Sequence, residues 1–131
     1  MNYTDFFRAL INLLYSISKS DHEIHLLEVQ QILDIINADL PHLFPALPKE
    51  TQTINKDLAL REFKQLYQKQ VTEEEAYKTF ISYYRLNQNA FNADINLLFY
   101  EMAGKVAYSY KGMNEEEKQF LQKLKLDLGV Q

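Results

Sequence analysis

The chain has 131 residues, enough for one domain with a proper core, and its apolar fraction of 47% is ordinary for a globular protein. It has no cysteine, which excludes disulfides, thiol nucleophiles and thiolate metal sites. The net charge of −4, with fourteen basic residues scattered among carboxylates, argues against a nucleic-acid face.

Three glycines and three prolines leave few places to turn, which favours helices. The first helix is expected from about Thr4, read as its N-cap, to Ser18. Phe6, Phe7, Leu10, Leu13, Leu14 and Ile17 recur there at three-and-four spacing. Within it "ALINLLYSI" could pass for a secretory core, but Asp5 precedes the run, Asn12 interrupts it and "SKSDHE" follows. The run is also shorter than the ~20 residues that span a bilayer. The expectation is a cytoplasmic protein with no membrane contact.

A second helix is expected over about Leu26 to Ile36, with Leu27, Ile32, Leu33 and Ile36 inward, antiparallel to the first across a short polar link. Residues 38–56 carry all three prolines and read as a long connection pinned by Leu40, Leu43, Phe44 and Leu47, with a helical turn starting at Pro41. The alternative is a partner-binding flap, since irregular segments on rigid scaffolds often carry function. A third helix, about Asp57 to Lys69, turns Phe63, Leu66 and Tyr67 to one side.

Thr72 to Glu75 spell a capping box that opens a fourth helix bearing Ala76, Tyr77, Phe80, Ile81 and Tyr84. "NQNAFN" ends it, and Asn92 can cap a fifth helix striped by Ile95, Leu98, Phe99, Met102, Val106 and Tyr110. Gly112 closes that helix. Asn114 to Glu117 cap the next, with Phe120, Leu121, Leu124 and Leu128 facing the core. No strand alternation appears. Residues 1–131 therefore read as a single all-α domain of six to seven helices. The nine tyrosines and eight phenylalanines fall mostly on the apolar stripes and read as core; Tyr83, Tyr100 and Tyr108 lie off them.

The densest chemistry is "KSDHEIHLLE", Lys19 to Glu28. Asp21, Glu23 and Glu28 offer hard oxygens to Ca²⁺ or Mg²⁺, and His22 and His25 offer nitrogen to Zn²⁺. The stretch is no EF-hand loop, and its histidines stand three apart where the zinc-protease helix needs four. Capping explains the same residues without a ligand: His25 at the cap, Glu28 three residues on, and Ile24 as a staple.

The pattern recurs. "AGKVAYSYKGMNEEEKQFLQKL" (103–124) follows the order of "LYSISKSDHEIHLLEVQQIL" (14–33), with Glu28 answering Glu117 and Ile32-Leu33 answering Phe120-Leu121. A helix, roughly A-D-G-x-I-x-x-x-E, and a second helix near both ends of such a domain resemble the TerB-like family, found in tellurite-resistance proteins and in a membrane-anchored DnaJ-type co-chaperone. The resemblance covers the two ends well and residues 38–90 poorly. It implies a compact bundle with an internal pseudo-repeat, and cation binding by acidic residues of the two turns.

Position by position, Asp21 falls on the family Asp, His22 on its Gly, Ile24 on its apolar residue and Glu28 on its Glu. In the second turn Gly112, Met113 and Glu117 match, but Lys111 stands where the Asp should be, and an ammonium repels a cation. The metal set carried over is Asp21, Glu23, Glu28 and Glu117, with Glu115 and Glu116 near, holding Ca²⁺ or Mg²⁺ weakly. The functional expectation is a non-enzymatic module that engages a partner protein in a bacterial stress-related context. The alternatives are a self-assembling structural protein and an acid–base enzyme using Asp21, His22 and Glu28.

Overall fold

The computed structural model describes residues 3–19, 33–34, 37–38, 49–108 and 114–130. Five helices make up the described part: α1 (Tyr3–Ser18), α2 (Lys49–Gln68), α3 (Glu73–Leu86), α4 (Ala93–Tyr108) and α5 (Glu115–Leu128). A single 3-10 turn, Gln88–Ala90, joins α3 to α4. No strand occurs among the described residues, so the all-α expectation holds there.

The bundle is built around α1, which packs against each of the other four helices. Its expected stripe is buried throughout, but so are Asn12, Ser16 and Ser18. From Ala9 to Ser18 the helix is buried on every side and has no polar face, so these three must find acceptors within it. Asn12 donates to the Arg8 carbonyl at 2.8 Å, Ser16 to that of Leu13 at 2.7 Å and Ser18 to that of Leu14 at 2.9 Å. Each satisfies a side-chain donor on the helix's own backbone. Thr4 is not the cap, because the helix already includes Tyr3.

The third expected helix begins eight residues too late. α2 starts at Lys49, directly after Pro48, so residues 49–56 of the expected connection are helical. No Gly or Pro lies between 49 and 68, and nothing in that run stops a helix. Its inward line is Ala59, Phe63 and Leu66, spaced four and three apart. Tyr67, expected inward, is 56% exposed, because it lies one position off that line. Arg8 Nε reaches Glu62 Oε1 at 2.8 Å across the α1–α2 seam.

α2 ends in a motif hidden from composition. Gln70 takes φ 52°, the Val71 amide donates to the Leu66 carbonyl and the Gln70 amide to that of Tyr67. This is a Schellman ending with glutamine in the left-handed position usually given to glycine. The turn is fastened to α1 by the buried Tyr15, whose hydroxyl donates to the Val71 carbonyl at 2.7 Å. Gly129, at φ 67°, closes α5 in the same way.

α3, α4 and α5 start where their caps stand. Thr72 Oγ1 accepts the Glu75 amide, Asn92 Oδ1 the Ile95 amide and Asn114 Oδ1 the Glu117 amide. At Thr72 the Glu75 carboxylate accepts from the threonine hydroxyl, and at Asn114 the Glu117 carboxylate accepts from the cap amide at 3.2 Å, completing the box. The core gathers Phe6, Phe80, Phe91 and Phe99, with Phe91 and Phe99 edge-to-face at 5.3 Å and Phe6 and Phe91 stacked at 5.6 Å. Such pairs each add about 0.5–1.5 kcal/mol beyond the area they bury. Of the off-stripe tyrosines, Tyr83 leans on Phe91, Tyr100 is half-buried and Tyr108 is exposed.

Within the expected second helix, residues 33–34 are helical, with Leu33 half-buried and Asp34 exposed; the rest of 26–36 lies outside the described residues. Tyr110 and Gly112 lie outside them too.

Candidate functional site

Of the expected cation set, Glu117 is described; Asp21, Glu23 and Glu28 lie outside the described residues, as do His22, His25 and Lys111. Glu117 is buried at 5% exposure, held at the start of α5 by the Asn114 box. Its neighbours Glu115 and Glu116 point to solvent. The alternation has a local cause: the third helical position turns back over the cap while the first two face out. Among the described residues no group of three histidines, cysteines, aspartates or glutamates could hold a metal ion. No described helix is long and apolar enough to cross a membrane.

The described surface offers a groove between α3 and α5, of about 300 Å³, walled by Glu73 and Glu74 on one side and Glu116 and Lys123 on the other. Its floor is aromatic. Tyr77 from the α3 stripe meets Phe120 of α5 edge-to-face at 5.1 Å. Lys123 Nζ stands 4.6 Å above the Tyr77 ring centre, a cation–π distance. At the edge of the ring, the Tyr77 hydroxyl donates to Asp127 Oδ2 at 2.5 Å. Burial above all, then the hydrogen bond and charge of Asp127, push the Tyr77 phenol far above its ordinary pKa of 10. It is therefore a donor throughout the physiological range, and no general base.

Carboxylates in a helix's first turn are stabilised as anions by the positive end of the helix dipole. Glu73 and Glu74 open α3 and Glu116 opens α5, so the groove gathers two such turns. Tyr77 is buried beneath Lys123, so what the groove presents to solvent is chiefly the exposed carboxylates of Glu74 and Glu116. Sequence reasoning placed Tyr77 and Phe120 in the core and did not join them to the acidic caps. One signal was available. Asp127 sits in the last turn of α5, the end where the dipole disfavours an anion, which marks a carboxylate with a partner.

No family model, curated protein or solved structure matches this chain.

Proposed function

We propose that the chain is a TerB-like helical binding module, non-enzymatic, that engages a partner protein in the cytoplasm of a stressed bacterial cell. The observation that carries this reading is the repeated acidic sequence pattern, "SDHEIHLLE" and "KGMNEEEKQF", each set between two apolar-striped stretches. In the second copy the Asn114–Glu117 box builds that start as a capped turn, with Glu117 buried and Glu115 and Glu116 exposed. The finer architecture belongs to the same proposal: six to seven helices, with the helix–turn–helix of residues 14–33 echoed at 103–124.

In this reading Asp21, Glu23, Glu28 and Glu117 hold a divalent cation weakly, Ca²⁺ or Mg²⁺, in the ~10⁻⁴–10⁻³ M range of open oxygen sites. The cap commits one Glu117 oxygen to the Asn114 amide, which leaves it a supporting ligand. Two measurements test the proposal. Titration of the ¹⁵N-labelled chain with Ca²⁺ should move the amides of Asp21, Glu23, Glu28 and Glu117 together; fixed resonances at millimolar Ca²⁺ and Mg²⁺ remove the cation. Affinity capture followed by crosslinking should retain one partner at near-stoichiometric amounts; a chain that retains none is not a binding module.

A further inference from the structure

We infer that α4 pairs with α4 of a second copy of the chain, antiparallel, through the stripe Ala93, Leu97, Tyr100, Gly104 and Tyr108. These residues follow one another at four, three, four and four positions, so they share one face of the helix. The core takes a different face, carrying Phe99, Met102, Ala103 and Val106. On the stripe, Leu97 is 45% exposed and Tyr108 68%, Ala93 is exposed, and Tyr100 and Gly104 are half-buried. Nothing in this pairing depends on the acidic helix starts or on a different partner protein.

Gly104 is the sign that something approaches this face. Glycine weakens a helix interior relative to alanine, and it is worth keeping where another backbone comes close. Yet a Cβ placed on Gly104 meets nothing within 4 Å. The notch is open, and its own chain makes no use of it.

A second copy fits because the stripe is complementary to itself. A two-fold axis between Tyr100 and Glu101 sets Leu97 opposite Gly104 and Ala93 opposite Tyr108. Each large side chain then meets a small one, and the notch at Gly104 receives Leu97 of the other copy. The same register makes the rim complementary. Asp94 and Lys105 are both exposed on the flank beside the stripe, and the axis sets Asp94 of each copy near Lys105 of the other. Lys105 has an interaction within its own chain, but an ammonium carries three donors and can serve a second carboxylate.

Two features keep the pairing weak. Glu101, exposed at the centre of that rim, meets its own counterpart, a like-charge contact in solvent. α4 is also only about 24 Å long, and one helix face per copy buries less than the roughly 1,200–2,000 Å² of a stable complex. A Kd on the order of 10⁻⁴ M follows, so the dimer belongs to high local concentration.

Sedimentation equilibrium of the full chain from about 10 µM to about 1 mM should show monomer passing into dimer. Gly104→Leu fills the notch and should weaken association about tenfold or more. Its thermal midpoint at low concentration should stay at or above that of wild type, since leucine is the better helix former. Leu97→Ser removes the opposing side chain from an exposed position and should weaken association about fivefold, with unchanged circular dichroism. Charge tests the register. Asp94→Lys and Lys105→Asp should each weaken self-association about fivefold, and an equimolar mixture of the two should recover it, because each supplies the charge the other has lost. A wild-type chain that stays monomeric at the highest concentration overturns the inference. So does a dimer that Gly104→Leu and Leu97→Ser leave intact, or one that the mixed charge variants fail to restore.

Discussion

The hydroxyl of Tyr77 in α3 donates to Asp127 in the last turn of α5, 50 residues further along the chain, at 2.5 Å. That bond ties the two helices at a point where α5 would otherwise end on an unfavourable charge. Tyr77→Phe keeps the ring contacts with Phe80 and Phe120 and removes the donor. It should cost about 1.5–3 kcal/mol, the range for a hydrogen bond to a charged group. Urea denaturation at neutral pH measures it, and a difference below about 0.5 kcal/mol would show the bond to be idle.

The same phenol predicts a pH dependence. Burial raises the pKa of Tyr77, with Asp127 adding to it; burial also raises Tyr15, with Tyr67 and Glu75 contributing. Their folded values exceed the unfolded value near 10, so their share of the stability is complete below that pH and is lost as pH rises beyond it. Stability should therefore fall as the pH rises past the ordinary tyrosine value of about 10, and more steeply in wild type than in Tyr77→Phe. Tyrosinate absorbance should show Tyr77 ionising together with unfolding, not before it.

Two left-handed helix ends make opposite predictions. Gln70, at φ 52°, carries a side chain where glycine is at ease, so Gln70→Gly should stabilise the chain by about 0.5–1 kcal/mol. Gly129, at φ 67°, meets nothing within 4 Å of an added Cβ, so Gly129→Ala costs only backbone strain, about 1 kcal/mol. Thermal unfolding of both variants checks the pair, and shifts of the same sign would contradict it.

The cap at α5 separates structure from binding. Asn114→Ala should destabilise by about 1 kcal/mol, since it strips the acceptor for the Glu117 amide. Glu117→Gln keeps an acceptor for the Asn114 amide and should cost less than Glu117→Ala. Denaturation midpoints order the three variants. If Glu117→Gln also abolishes the Ca²⁺-dependent shifts at Asp21, the glutamate acts beyond its cap.

Core and surface apolar residues should diverge. Phe91 is 5% exposed and touches Phe6, Phe80, Tyr84 and Phe99, so Phe91→Ala should cost about 3–4 kcal/mol. Leu86, 84% exposed at the end of α3, should tolerate Leu86→Gln within about 0.5 kcal/mol.

What could be read beforehand depended on whether a feature is local. The caps at Thr72, Asn92 and Asn114 are encoded within three residues, and all three were legible. The stripes of α3 and α5 were legible for the same reason, since burial there follows one period. The start of α2 was misjudged because three prolines upstream made residues 38–56 look like one connection, although Pro48 leaves Lys49 free to begin a helix. Phe91 was read as part of a break, yet an irregular turn can still drop a ring into the core. The groove was illegible because Tyr77, Phe120 and Glu74 meet only through packing across α3 and α5. The acidic stretch with Asp21, Glu23 and Glu28 lies outside the described residues.

The position of α1 has a consequence for biosynthesis. It leaves the ribosome before the four helices that cover it, and those neighbours extend as far as α5, which begins at Glu115. At about 5–20 residues per second, close to a hundred residues must follow before its last cover is made, some 5–20 seconds in which Phe6, Leu10 and Leu14 lack their final neighbours. A helix made ahead of all its covers is thus the last to be enclosed. A pause in translation before α5 would lengthen the interval in which the nascent chain needs a chaperone.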